Sequence, residues 1–156
     1  TTKLLMVLLI GSYFAAGFTM RKPSETEQID QLIDTWHQAA ADANYANYFQ
    51  FMSDNFIYLG TDPTERWNKE QFGAFCKPYF DKGKAWDFRK IERHIELSKD
   101  GKTAWFDERI STWMKDCRGS GVLIKVGKEW KITHYNLAVL IENDKIDEFV
   151  KLREQK

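Results

Sequence analysis

Residues 117–140 constrain this chain more than any other stretch. Two alternating apolar–polar runs meet at Gly127-Lys128, a short-range signature of a β-hairpin. Successive side chains on a strand point to opposite faces, so parity sorts the hairpin. Val122, Ile124 and Val126 fall on one face with Arg118 and Ser120, and Trp130 and Ile132 fall on one face with His134 and Asn136. Each stripe is apolar near the turn and polar at its far end. Such a sheet face is expected to close a core at one end and line a polar-ended pocket at the other.

The rest of the chain supplies the neighbours of that hairpin. Ser24 followed by Glu27 is a capping-box pattern, and Ile29, Leu32, Ile33, Trp36, Ala39 and Ala40 recur at helical spacing, which predicts a long helix to about residue 43. Tyr45, Tyr48, Phe49 and Met52 predict a short second helix, residues 56–59 a brief strand, and residues 60–67 a loop structured by Gly60 and Pro63. Asn68 caps a third helix with Phe72, Phe75, Cys76, Tyr79 and Phe80 as its buried face, and Gly83 ends it. From residue 85 the period becomes two. Residues 87–97 and 103–114 form a second hairpin about Asp100-Gly101, and a short helix over 145–153 closes the chain. Helices first and hairpin-linked strands after is an α+β layout, with a strongly curved, mostly antiparallel sheet wrapped around the long N-terminal helix to leave a cone-shaped pocket.

The chain as a whole is 43% hydrophobic and 29% charged, an ordinary soluble composition, and residues 21–156 suit one domain. Six Trp and 15% aromatic residues fit an aromatic-lined cavity or a large aromatic core. The 23 basic and 23 acidic residues cancel, which removes the global electrostatic case for nucleic acid as a partner. Residues 1–20 carry Lys3, an apolar run over 4–10 and then Ala15-Ala16-Gly17, the pattern of a signal peptide. The expected location is therefore secreted or periplasmic. An uncleaved N-terminal anchor is the alternative, and only in that form is a membrane a partner. Cys76 and Cys117 are expected to be buried thiols sooner than a disulfide. No His-x-His or Cys-x-x-Cys spacing occurs, so neither a metal nor another cofactor is expected.

Four motifs in order carry a family resemblance: Gly60-Thr61-Asp62 with Glu65-Arg66-Trp67, Ala104-Trp105-Phe106-Asp107-Glu108, Arg118-Gly119-Ser120-Gly121-Val122-Leu123, and Trp130-Lys131-Ile132-Thr133-His134-Tyr135-Asn136-Leu137. Residues 27–144 resemble the SnoaL-like domains of the nuclear-transport-factor-2-like superfamily. The resemblance implies the α+β cone and a homodimer. It implies no single activity, because the superfamily spans isomerases, dehydratases, cyclases, epoxide hydrolases and non-catalytic binding or assembly domains. The Tyr plus two-carboxylate set of the ketosteroid isomerases cannot be matched here residue by residue.

His134 is the histidine of the presumed cavity face. It could move a proton near neutral pH or serve as a structural hydrogen-bonding group. His37 and His94 read as surface residues. On the strand over 103–114, Glu108 shares a face with Ala104, Phe106, Ile110 and Met114, while Asp107 goes with Trp105, Arg109 and Trp113. The more apolar set puts Glu108 inward, unless a bulge swaps the two. An inward Glu108 opposite Arg118 is either a salt bridge closing the cone or a carboxylate held for proton transfer. Arg93, on the face of Ile91, Ile95 and Leu97, adds a second inward cation that with Arg118 favours an anionic ligand. Asp62, Glu65 and Arg66 either line the mouth or pair among themselves. Tyr58 and Trp67 are candidate aromatic walls, as are Trp86 and Phe88.

The favoured reading is a protein that binds a small apolar or anionic molecule through Tyr58, Asp62, Trp67, Arg93, Arg118, Ser120 and Asn136. It would dimerise through an outward set of Trp105, Trp113, Leu123, Tyr135, Leu137 and Val139. The alternative is an isomerase-, cyclase- or dehydratase-type enzyme in which His134 or Glu108 moves a proton beside an oxyanion held by Arg118, Tyr58 or Asn136. A third is a non-catalytic dimerisation or interaction module. Cavity volume separates them: a cone filled by Trp and Phe argues against the first two, and an open one with His134 in reach of Glu108 or Asp62 argues for the enzyme.

Overall fold

The computed structural model describes residues 21–155, and the expected signal peptide over 1–20 lies outside them. Helix α1 (Glu25–Ala41) starts at the expected capping box: the Ser24 hydroxyl accepts the Glu27 N–H, and the Glu27 carboxylate accepts the Ser24 N–H. Its apolar stripe buries Ile29, Ile33, Trp36, Ala39 and Ala40 against the sheet. Helix α2 (Tyr45–Gln50) is followed by strand β1 (Met52–Leu59), which begins earlier than the sequence suggested. Part of the expected loop is a short strand, β2 (Arg66–Asn68), that sets Trp67 beside Tyr58. Helix α3 (Lys69–Asp81) is capped by Asn68 and buries Phe72, Cys76 and Phe80, whereas Phe75 and Tyr79 flank it more exposed. Strands β3 (Arg89–Leu97), β4 (Thr103–Thr112), β5 (Lys115–Val126) and β6 (Glu129–Val139) follow, then α4 (Ile146–Glu154). Gly101 and Gly127 take the positive φ that the two hairpin turns require.

The six strands form one sheet in the order β2-β1-β6-β5-β4-β3, antiparallel throughout except where β1 runs parallel to β6. Helices α1 and α3 cover its inner face.

Two bulges decide which side chains face that core. Val122 pairs with His134 but Leu123 pairs with Ile132, which leaves Thr133 as an extra residue in β6. Trp130 and Ile132 therefore point inward, and beyond the bulge the inward residues are Tyr135 and Leu137. On β5 the buried alternation is Cys117, Gly119, Gly121 and Leu123. These findings correct the hairpin reading: Arg118, Ser120, His134 and Asn136 do not line the cone, and Leu123, Tyr135 and Leu137 are core and no part of an outer surface. Parity misled because the inner face of β5 is built from small residues, so the greasier face looked like the inside. In β3 the register shifts between Lys90 and Glu92, which turns Ile91 outward and keeps Arg93 inward.

The small inner face of β5 is obligatory. A Cβ on Gly121 would lie 2.6 Å from Phe106 Cε1 and 2.7 Å from the His134 carbonyl oxygen, and the latter is backbone that cannot swing away. Gly121→Ala is expected to destabilise the fold by about 2 kcal/mol through overpacking, read as a lower urea midpoint at unchanged slope. An unchanged midpoint would mean that the β5–β6 approach is not tight.

Candidate functional site

Four elements converge on one carboxylate. Glu108, on β4, is fully buried. Its Oε1 lies 2.7 Å from His37 Nε2 on α1 and accepts the Tyr135 hydroxyl of β6 at 2.9 Å. Its Oε2 accepts a forked pair from Arg93 of β3, Nε at 2.9 Å and Nη2 at 2.7 Å. The space comes from β5: a Cβ on Gly119 would sit 2.8 Å from Glu108 Oε1 and overlap the Tyr135 hydroxyl. The remaining Arg93 nitrogen, Nη1, donates to Asp30 Oδ1 at 2.6 Å and Asp34 Oδ1 at 2.8 Å, and Lys90 binds the same two carboxylates nearer solvent. A buried charge is thus passed outward through paired charges to the rim of the cone, which is how an interior ion is kept tolerable.

Burial by itself would raise the Glu108 pKa, but the His37 ring and the Arg93 guanidinium overcome it and hold the group at about 2. Burial, and next the Glu108 charge, push the Tyr135 phenol far above its usual range. At neutral pH the cluster is an ionised carboxylate clamped by donors. Such a carboxylate is a poor proton acceptor.

The interior around it is filled with rings. Trp36 stacks on Tyr48 at 5.1 Å and meets the edge of Tyr135 at 4.9 Å, while Tyr58 stacks on Phe72 at 4.1 Å. A cavity of about 130 Å³ lies at the mouth of the cone. Tyr58, Trp67, Phe72 and Phe75 form one wall as a near-parallel array, with Trp67 and Phe75 centroids 4.5 Å apart. Trp86, Phe88, Trp113, Met114 and Leu137 complete the lining together with Thr61 and Glu65. Phe88 packs its ring against His37 at 5.8 Å, setting an aromatic between that histidine and the cavity.

Of the residues singled out from sequence, Tyr58, Trp67, Trp86, Phe88 and Glu65 line this cavity. Asp62 is exposed, and its carboxylate accepts the Thr64 N–H at 2.8 Å. Arg93 and Glu108 meet each other in the buried cluster. Arg118 is half exposed on the outer face, 3.6 Å from Asp107, so the expected Arg118–Glu108 pair is replaced by Arg93–Glu108. Ser120 and Asn136 pair across strands on that outer face. His134 stands there too, its pKa lowered by partial burial and then by the Arg66 charge. His37, read as a surface residue, is buried, because four residues on from Ile33 places it on the inner stripe of α1. Tyr135 and Gly119 were also missed. The Gly119-Ser120-Gly121 spacing was the available signal, since glycines two apart in a strand mark a face that large neighbours approach closely. Cys76 and Cys117 are free and buried. Among the described residues no three His, Cys, Asp or Glu side chains gather as a metal site.

A profile for the SnoaL-like domain matches residues 29–142. No curated protein matches the chain. Among solved structures it resembles an NTF2-like protein of unknown function from Pseudomonas putida, with TM-score 0.64, 14% identity, and coverage of 76% of this chain and 88% of that one. A candidate ketosteroid isomerase from Parabacteroides distasonis gives 0.61, 15%, and coverage of 75% and 89%. A candidate calcium/calmodulin-dependent protein kinase II association domain from Xanthomonas campestris gives 0.59, 18%, and coverage of 77% and 91%. At these identities the likeness establishes the α+β cone and nothing about activity.

The Glu108 cluster sets an acid dependence. Its folded pKa of about 2 lies below the ordinary value of 4.5, so its stabilisation is complete above pH 4.5 and is lost as pH falls towards 2. Denaturation midpoints measured across that window should fall steeply for the native protein and less steeply for Glu108→Gln. Equal slopes would remove the ionised carboxylate from the account of stability.

Proposed function

The chain belongs to the SnoaL-like domain family, and on that premise we propose that it binds a small molecule in the aromatic pocket at the mouth of its cone, with the Glu108 cluster as a structural plug. The observation that carries the reading is the cavity itself, lined by the Tyr58–Trp67–Phe72–Phe75 ring array with Trp86 and Trp113. Its 130 Å³ suits a compact ligand, well under the roughly 300–1,000 Å³ of pockets for larger molecules.

The enzymatic alternative has less support. A general base must reach the proton that it takes and works best with a pKa near the operating pH. Glu108 has no exposure, all its partners in place, and a pKa of about 2. His134 stands on the opposite face of the sheet from the cone interior. Arg93, named as an anchor for an anion, is already spent on three carboxylates. Export by way of residues 1–20 completes the proposal.

A homodimer through the outer sheet face is proposed beside it. Trp105 is 48% exposed and stands in a cross-strand row with Val122, His134 and Ile57. A large ring open to water on a sheet face usually marks a contact surface. The surface is smaller than the sequence suggested: it keeps Trp105, whereas Leu123, Tyr135 and Leu137 are core, Val139 pairs with the inward Cys117, and the exposed Trp113 lies in the β4–β5 turn.

Two measurements check these readings. In a fragment screen followed by NMR, compounds that bind should shift the indole N–H signals of Trp67, Trp86 and Trp113, and Trp67→Ala should abolish the effect while His134→Ala leaves it unchanged. No perturbation at any of these three would overturn the pocket reading. Light scattering should give the mass of two chains for the native protein and of one for Trp105→Glu; a native monomer at micromolar concentration would end the dimer proposal.

A further inference from the structure

The mouth pocket combines aromatic walls with a single charged lining residue, Glu65. We propose that its ligand is a small organic cation of the alkylated-ammonium class, held among the rings of Trp67, Trp86 and Trp113 with its charge matched by the Glu65 carboxylate. The inference rests on the mouth being a ligand pocket and goes beyond it by assigning the charge of the occupant.

The argument is electrostatic. Aromatic faces carry negative quadrupole potential, so a cavity walled by three Trp, three Phe and a Tyr attracts positive charge before any carboxylate is counted. An alkylated ammonium hides its charge under carbon, gives up little hydration on entering, and fills apolar space as a hydrocarbon would. Glu65 takes one hydrogen bond, from the Asp62 N–H at 3.3 Å, and has no Lys or Arg partner among the described residues. Its charge is felt at the wall: after burial it is the next cause of the raised Tyr58 pKa. Among the described residues no cation pairs with it. Arg93 is buried behind the aromatic layer on other carboxylates, and Arg118 lies on the outer face.

Charge sign also tells against other occupants. An anion would enter beside Glu65 with no arginine or lysine in the lining to receive it. A neutral apolar molecule would cover the carboxylate without matching its charge, and covering an unpaired charge is costly. The anionic ligand expected from Arg93 and Arg118 loses both of its anchors.

The test uses choline and its neutral isostere 3,3-dimethylbutan-1-ol, titrated into the full chain with Trp fluorescence and calorimetry as readouts. Choline is expected to bind about tenfold tighter than the isostere, and Glu65→Gln to erase most of that gap by weakening choline while not weakening the isostere, which no longer has a charge to cover. Trp67→Leu, which keeps Glu65, should weaken choline more than the isostere, so the outcome does not hang on one variant folding. Equal affinities for the two probes would overturn the cation assignment and leave the pocket reading standing. Binding of neither probe, with fragments still shifting the Trp67 and Trp86 signals, would do the same. Binding of neither probe and of no fragment would overturn both.

Discussion

The fold is organised around an ion that has no access to water. Glu108 is a full negative charge at the centre of an aromatic core, and its burial is tolerable only because α1, β3 and β6 each bring it a donor. That requirement reaches well beyond one side chain. His37 must lie on the inner stripe of α1, which fixes the rotation of the helix over the sheet. Arg93 must point inward from β3, and β5 must offer bare backbone at Gly119 so that the carboxylate and the Tyr135 hydroxyl can meet. Removing one partner of such a cluster typically costs about 3–5 kcal/mol, because the charge left behind has nowhere to go. A cluster with that much at stake fixes the arrangement of the elements as well as adding stability.

The bulges serve the same arrangement. An extra residue at Thr133 rotates the second half of β6 so that Tyr135 faces Glu108 and His134 faces outward. The shift in β3 past Lys90 keeps Arg93 on the interior face and lets Ile91 turn out. One unpaired residue per strand therefore exchanges what an uninterrupted alternation would have placed in the cone. The interior becomes aromatic and ionic, and the outer face of the sheet collects Arg118, Ser120, His134 and Asn136 around Trp105.

The functional reading follows from that exchange. With the cone filled around Glu108, the proposed ligand site lies at the rim, where α3, the β1–β2 connection and the β4–β5 turn bring rings together. One of the four stretches that carry the family resemblance, Gly60-Thr61-Asp62 with Glu65-Arg66-Trp67, supplies both a wall residue and the carboxylate of that rim. The Glu108 cluster and the proposed pocket touch through the Tyr58–Tyr135 and His37–Phe88 ring contacts.

The sequence by itself determined what local physics determines. The capping box at Ser24, the helix cap at Asn68, the hairpin turns at Gly101 and Gly127, the inward Glu108 and Arg93, and the α+β order that makes a cone all follow from periodicity and turn chemistry over a few residues. Tyr58 and Trp67 were likewise legible as walls, since an aromatic beside a structured loop has few other places to go. Only the tertiary structure decided which partner each buried group received. Pairing Glu108 with His37 joins positions 71 residues apart, and no spacing rule spans that distance. Nor does alternation reveal where it is broken: a bulge leaves no mark in composition, yet it carried His134 and Asn136 out of the cone and Tyr135 and Leu137 in. The clue was present in Gly119 and Gly121, but a missing side chain counts for nothing when faces are ranked by hydrophobicity. Its meaning appears only once the large groups that need the space are in position.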